Sequence, residues 1–361
     1  MPTINLNIIK AIQPIGQIYV AKIDPALLLK MSTVDRRRIL ENDEALGIQR
    51  DLRPEKVAQI KKYLSTINAT FPNSIIVNTT SEFVKSESEN ILELEVSDST
   101  FTIIDGQHRL EGFRDNDVPN FELIVAVFKD LNIGQQAEIF STINSQQTKV
   151  DPSHNLSLEL DSNVYTPIKM MIEIAQSFNF DAESPWYNNI RLLGSGTKGL
   201  ISLSAFVRPL LDLTYPDKDY FLIKNELTKN IKIFPLFDIF DYKPERYIFW
   251  DFYKNKDDKA IFKILYNYFS ALKTILYSEW LNPDSLLNKT TGYNAQIRLF
   301  KDLFIIGIKE KRLTQSFFFE YLSGLEKLNG SINSQNYGAS GQKASMDLYY
   351  DMKKNTILNN E

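Results

Sequence analysis

Five consecutive residues, Asp105-Gly106-Gln107-His108-Arg109, bring a carboxylate, a flexible backbone position, an amide, an imidazole and a guanidinium to one point of the chain. They stand at a break in the stretch Phe101 to Phe113. Phe101 to Ile104 is a β-rich apolar run, and from His108 onward Leu110 and Phe113 fall at helical spacing. The pattern predicts a strand, a tight turn and a helix start. A helix start exposes backbone N–H groups that have no intrahelical partner, and its dipole favours negative charge. Glycine lets an anion come close to the backbone, and an arginine fork can clamp a phosphate with two parallel bonds. One chemistry open to these residues is therefore oxyanion binding, of a phosphate above all. The other reading of the same residues is an ordinary turn with a surface arginine, and a motif this short leaves both open.

Further residues with chemical potential are scattered. Arg36, Arg37 and Arg38 could contact phosphates, but Glu41, Asp43 and Glu44 interrupt the cluster and favour a solvated helix face. Lys61 and Lys62 lie off the apolar stripe Val57, Ile60 and Leu64 of an expected helix, and are candidates for DNA contact. Gly194 to Gly199 lacks the Gly-Lys-Ser/Thr ending of a P-loop and reads as a loop feeding the helix of Ser202, with Lys198 within reach of DNA. His154, in a polar loop, reads as structural or solvated. The Gly-rich run Asn329 to Ala344, with Lys343, reads as a surface loop ahead of a helix at anion-site pattern. Aromatic residues between Phe234 and Tyr277 could stack on bases. Phe262, Leu265, Tyr266, Phe269, Leu272 and Leu276 recur at helical spacing, however, which favours core packing.

Composition narrows the classes. A chain of 361 residues, 43% hydrophobic, can bury a substantial core, as two domains or one large one. A net charge of −4 gives no global pull toward DNA, so any nucleic-acid surface is a local patch. With no cysteine, disulfides and thiolate zinc sites are excluded, which fits a cytoplasmic location. With two histidines, a multi-histidine metal site is excluded. The start Met1-Pro2-Thr3-Ile4-Asn5 has no signal-peptide pattern, and no apolar run is long enough to span a membrane.

The elements that must position the Asp105–Arg109 box follow from pattern. Ile4 to Ile23 holds two β-like runs with a turn at Pro14 to Gly16, and Asp24-Pro25 opens a helix. Pro54 opens a second helix, ahead of a strand at Ser74 to Asn78. Ile91 to Val96 alternates as a half-exposed strand. Asn120 to Phe128 reads as an apolar strand buried on both faces, and Ile133 to Phe140 as a short helix. From about Leu156 helical spacing dominates. The fold class expected is an α/β or α+β N-terminal domain, residues 1–151, followed by a mostly α-helical domain, residues 152–361.

The box Asp105-Gly106-Gln107-His108-Arg109 resembles the signature of DGQHR-domain proteins, of which the best-known members are DndB-like proteins of DNA phosphorothioation systems. The longer string Ile103 to Gly112 is similar to the phosphate box of ParB-type nucleases and of sulfiredoxin, and to a box of certain phage-defence nucleotidases. Sulfiredoxin chemistry is excluded, since Gln107 stands where it needs a cysteine. Phe140 to Val150, with Ile143-Asn144-Ser145 and Gln147, resembles a second signature of the family. Thr291-Gly292 with Ala295 resembles its C-terminal part.

The resemblance implies a ParB/sulfiredoxin-like N-terminal fold and a set of roles. Gly106, His108 and Arg109 would bind phosphates, with Arg50 and Arg53 brought beside them. Asp105 would hold Mg²⁺ or orient a water, and Gln107 would position an attacking water. Asn144, Gln146 and Gln147, whose amides both donate and accept, would close a nucleotide pocket. Alternatively, Asn144 caps a turn. Three functions follow as expectations. The first is a nucleoside-triphosphate-binding and hydrolysing, DNA-associated protein of a DNA-modification or phage-defence system, using Mg²⁺. The second is a non-catalytic DndB-like DNA-binding regulator. The third is a ParB-like nuclease, for which no cluster of carboxylates or histidines is visible. Expected partners are DNA, a nucleoside triphosphate and other proteins of a DNA-modification cluster, with no membrane; self-association is left open.

Overall fold

The computed structural model describes residues 2–33, 38–39, 45–46, 52–116, 118–146, 151–193, 199–229, 241–338 and 340–360, without the side chains of 38–39, 45–46, 144–146 and 359–360. Arg36, Arg37, Arg50, Gln147 and Lys198 lie outside the described residues, as do the side chains of Arg38, Asn144 and Gln146. The chain divides into two compact units, residues 1–149 and 150–361.

The first unit is built on a mixed sheet. In chain order it contains β1 (Thr3–Gln13), β2 (Gly16–Ile23), α1 (Pro25–Met31), β3 (Ser32–Thr33), β4 (Arg38–Ile39), β5 (Ala45–Leu46) and α2 (Pro54–Leu64). Then come β6 (Ile75–Thr79), β7 (Val84–Glu87), β8 (Ile91–Glu95), β9 (Phe101–Asp105), α3 (Gln107–Glu111), β10 (Leu123–Lys129) and α4 (Ile133–Gln146). Among the described residues, eight strands pair in the order β3-β9-β6-β10-β2-β1-β8-β7, and β4 pairs with β5 separately. β10 runs parallel to β6 and β3 parallel to β9, while β6 and β9 are antiparallel.

Period-two alternation puts Leu6 and Ile8 of β1, Tyr19 and Ala21 of β2, and Val125 and Val127 of β10 on one buried face. Leu28 and Met31 of α1, Leu64 of α2 and Leu110 of α3 cover that face. Asp24 caps α1 by accepting from the Leu27 amide at 3.0 Å. On the other face, Ile139 and Phe140 of α4 pack over Ile18, Ile104 and Phe128.

Two local expectations are corrected. β10 is not buried on both faces, because Ile124 is 43% exposed. α4 packs at the Phe128 end of that strand, whereas Ile124 lies opposite Lys22 and has no such cover among the described residues. The helix expected to stop at Phe140 continues to Gln146. Ile143 keeps the helical spacing of Ile139 and Phe140, and Ser141, Thr142 and Asn144 weaken a helix without breaking it.

The second unit is mostly helical. Helices Pro167–Phe180, Leu203–Asp212, Asp258–Ile275 and Thr290–Glu310 enclose Trp186, whose ring lies 5.6 Å from Phe206, 5.6 Å from Phe269 and 5.5 Å from Tyr293. Phe249, Trp250, Tyr253, Tyr268 and Phe269 are thus core, whereas Tyr277 is 57% exposed. The helix that carries Phe262 to Leu272 ends at Ile275, with Leu276 as its C-cap, and a separate helix covers Tyr277–Leu281. No described helix is long and apolar enough to cross a membrane.

Candidate phosphate-facing site

The box forms where β9 ends and α3 begins, as the change from period two to helical spacing predicts. Gly106 is the N-cap of α3 with φ +100°, a conformation that L side chains rarely adopt. A methyl group there would meet Ile75 Cδ1 at 2.5 Å and Arg109 Nη2 at 3.2 Å. β9 enters this turn beside an irregularity in its pairing with β6, between Ile76 and Val77.

Arg109 makes the defining contacts. Its Nη1 donates to the Asn73 carbonyl at 2.7 Å, and its Nη2 donates to the Ser74 carbonyl at 3.1 Å and to Asp105 Oδ2 at 2.8 Å. Both terminal nitrogens of the guanidinium are therefore engaged by the protein, tying α3 to the chain as it enters β6. Asp105 is engaged by the same bond. A Mg²⁺ ion at Asp105 would have to compete with a guanidinium for that oxygen. Among the described residues, no group of three or more His, Asp or Glu side chains could hold a metal ion. Gln107 is buried, 7% exposed, rather than facing solvent.

His108 links the box to α2. Its Nε2 accepts from the Arg53 backbone N–H at 3.1 Å, which requires that nitrogen to be unprotonated. Arg53 is the N-cap of α2 and Pro54 its first residue, so the bond satisfies a donor that the helix itself leaves open. The Arg53 and Lys56 side chains are exposed and form no ion pair with another described residue. Burial, then the positive charges of Lys56 and Arg53, hold His108 below the usual histidine range, and Asp105 opposes them. Lys56 was not singled out by sequence. Its only signal is its place three residues after Arg53, at helical spacing.

Lys61 and Lys62 lie half-buried in the last turn of α2, where positive charge also suits the helix dipole. They stand at the opposite end of the helix from Arg53 and Lys56. His154 lies in the second unit, in the short helix Pro152–Ser157, and its carbonyl accepts from the Ser157 hydroxyl at 2.7 Å.

The charge around His108 makes a prediction. Lys56→Ala should raise the His108 pKa, read from imidazole NMR titration. The folded value lies below 6.5, so in the window between the two the unfolded chain binds more protons. The contribution of His108 to stability is then complete above 6.5 and is lost as pH falls through the folded value. An unchanged titration in the variant would show that Lys56 does not face the imidazole.

A family model described as DndB, DNA-sulfur modification-associated, matches residues 6–186, half of the chain. No curated protein and no solved structure matches. The matched span holds the whole box, α2 with Arg53 and Lys56, and the start of the helical unit.

Proposed function

The chain belongs to the DndB family, DNA-sulfur modification-associated, and from that premise we propose that it is a non-catalytic DNA-binding regulator of a bacterial DNA-modification system. One observation carries this reading beyond the family. Arg109 is occupied by the Asp105 carboxylate and by the backbone carbonyls of Asn73 and Ser74, so the box acts as a latch. It presents the exposed cations at the start of α2, Arg53 and Lys56, and those cations meet the DNA phosphates. Such contacts position a protein on DNA without reading bases. Its working place is the cytoplasm, and its other partners are proteins of the same modification cluster.

A second reading retains one specific observation. The positive surroundings of His108 are the setting an incoming triphosphate would also favour. In that reading Gly106, Arg109 and the amides of Asn144, Gln146 and Gln147 bind a nucleoside triphosphate with Mg²⁺, and Asp105 and Gln107 serve its hydrolysis. It requires Arg109 to exchange the carbonyls of Asn73 and Ser74 for phosphate oxygens.

Two measurements separate the readings. The first is titration and turnover of all four nucleoside triphosphates, with and without DNA. The regulator reading expects no turnover that depends on the box, and turnover abolished by Gln107→Ala would replace it with the second. The second is DNA binding across a salt series. Few phosphate contacts release few counterions, so log affinity should fall against log salt with a slope on the order of −2 to −4. No binding at low salt, to modified or unmodified DNA, would remove DNA as the partner.

A further inference from the structure

Well away from the box in sequence, the sheet gathers a second set of anion donors. Lys10 of β1 lies opposite Tyr19 of β2, which lies opposite Val127 of β10, and Lys129 follows two residues later on the same face. The Lys10 and Lys129 ammonium groups each sit 5.9 Å from the centroid of the Tyr19 ring. Between them lies the carboxylate of Glu87. One of its oxygens accepts from Lys10 at 2.9 Å and the other from Lys129 at 2.8 Å, and Gln17 Nε2 stands 3.4 Å from the first. The two lysines, helped by the nearby Tyr19 hydroxyl, hold the carboxyl down at about 2, against burial, which raises it.

We propose that Lys10, Lys129 and Gln17 form a second phosphate-binding site, closed in this conformation by the Glu87 carboxylate. Three features argue for it. First, the donors come from three strands, β1, β2 and β10, and converge on one oxyanion, with one ammonium for each of two oxygens. Phosphate presents the same pair of acceptors. Second, the cradle is open to solvent, since the three charged side chains are 25% to 32% exposed. Third, Glu87 stands at the edge of the sheet. It ends β7, a four-residue edge strand whose pairing with β8 shifts register just before it. A phosphodiester carries the same single charge as the carboxylate. Replacing one by the other therefore leaves the local charge unchanged, and Glu87 competes at very high effective concentration. The unaltered protein should thus bind phosphate weakly here.

That the natural ligand is DNA rests on the function proposed above; the anion site itself does not. Glu87→Gln keeps size and polarity but removes the competing charge. Inorganic pyrophosphate titrated calorimetrically probes the site alone, and duplex DNA across a salt series probes the phosphodiester. Glu87→Gln should bind pyrophosphate at least about tenfold tighter than wild type. It should also steepen the DNA salt slope by about 0.9, for one added phosphate contact. Adding Lys10→Met and Lys129→Met should cancel both gains. A gain with pyrophosphate alone supports the site with free phosphate as its ligand. A gain in neither, or gains that survive loss of both lysines, overturns it whatever the α2 cations do. Should Glu87→Gln fail to fold, Glu87→Asp, which draws the carboxylate back by one methylene, should show the same gains at smaller size, and their absence overturns the site equally.

Discussion

Arg109→Ala should lower the stability of the N-terminal unit by about 3 kcal/mol. The side chain donates to the carbonyls of Asn73 and Ser74 and to the Asp105 carboxylate. Hydrogen bonds to charged groups contribute roughly 1.5–3 kcal/mol each, and removing one partner strands the others. The pair is 21% and 29% exposed, so solvent recovers part of the loss and the total falls well short of three full bonds. Hydrogen exchange of the β6 and β9 amides reads this unit directly. The tryptophans Trp186, Trp250 and Trp280 all lie in the other unit, so their fluorescence is a poor reporter. Arg109→Lys should recover less than half of the loss, because a compact ammonium cannot span three acceptors as a planar fork does. Protection within about 1 kcal/mol of wild type in Arg109→Ala would show that the guanidinium is free for another role.

Gly106→Ala should destabilise by about 2–4 kcal/mol, for two separable reasons. The backbone at φ +100° is unfavourable for any L side chain, and the added methyl would sit 2.5 Å from Ile75 Cδ1. Ile75→Val removes that atom at a cost of its own of roughly 0.5–1.5 kcal/mol. The double variant should therefore be more stable than the sum of the single effects by about 1 kcal/mol, while the conformational part remains. Strict additivity, again read by hydrogen exchange, would place the whole cost in the backbone and none in the contact with β6.

The strand–turn–helix around the box was legible in sequence because the apolar period changes from two to helical within a few residues, and Asp105-Gly106 marks the change. The helix of Pro54 and the hairpin of β1 and β2 were legible for similar local reasons. The partners of Arg109 were not. Asn73 and Ser74 lie 36 and 35 residues away, and backbone carbonyls carry no residue-type signal. Lys56 was missed because its relation to His108 exists only once α2 is docked on α3. The Lys10–Glu87–Lys129 cradle was missed because its charges are 77 and 42 residues apart, and each alone reads as an ordinary strand-surface charge. The exposure of Ile124 depends on which part of the sheet α4 covers, which an apolar run cannot specify.

The most direct test of the latch-and-cation account is DNA affinity over a salt series for wild type and for Arg53→Glu with Lys56→Glu, with hydrogen exchange confirming that β6 and β9 remain protected. Two phosphate contacts should be lost, so the salt slope should become shallower by about 1.8 and low-salt affinity should fall at least about tenfold on any sequence. Unchanged affinity and slope in a folded double variant would contradict the account, because the start of α2 would then not be where the protein meets phosphate.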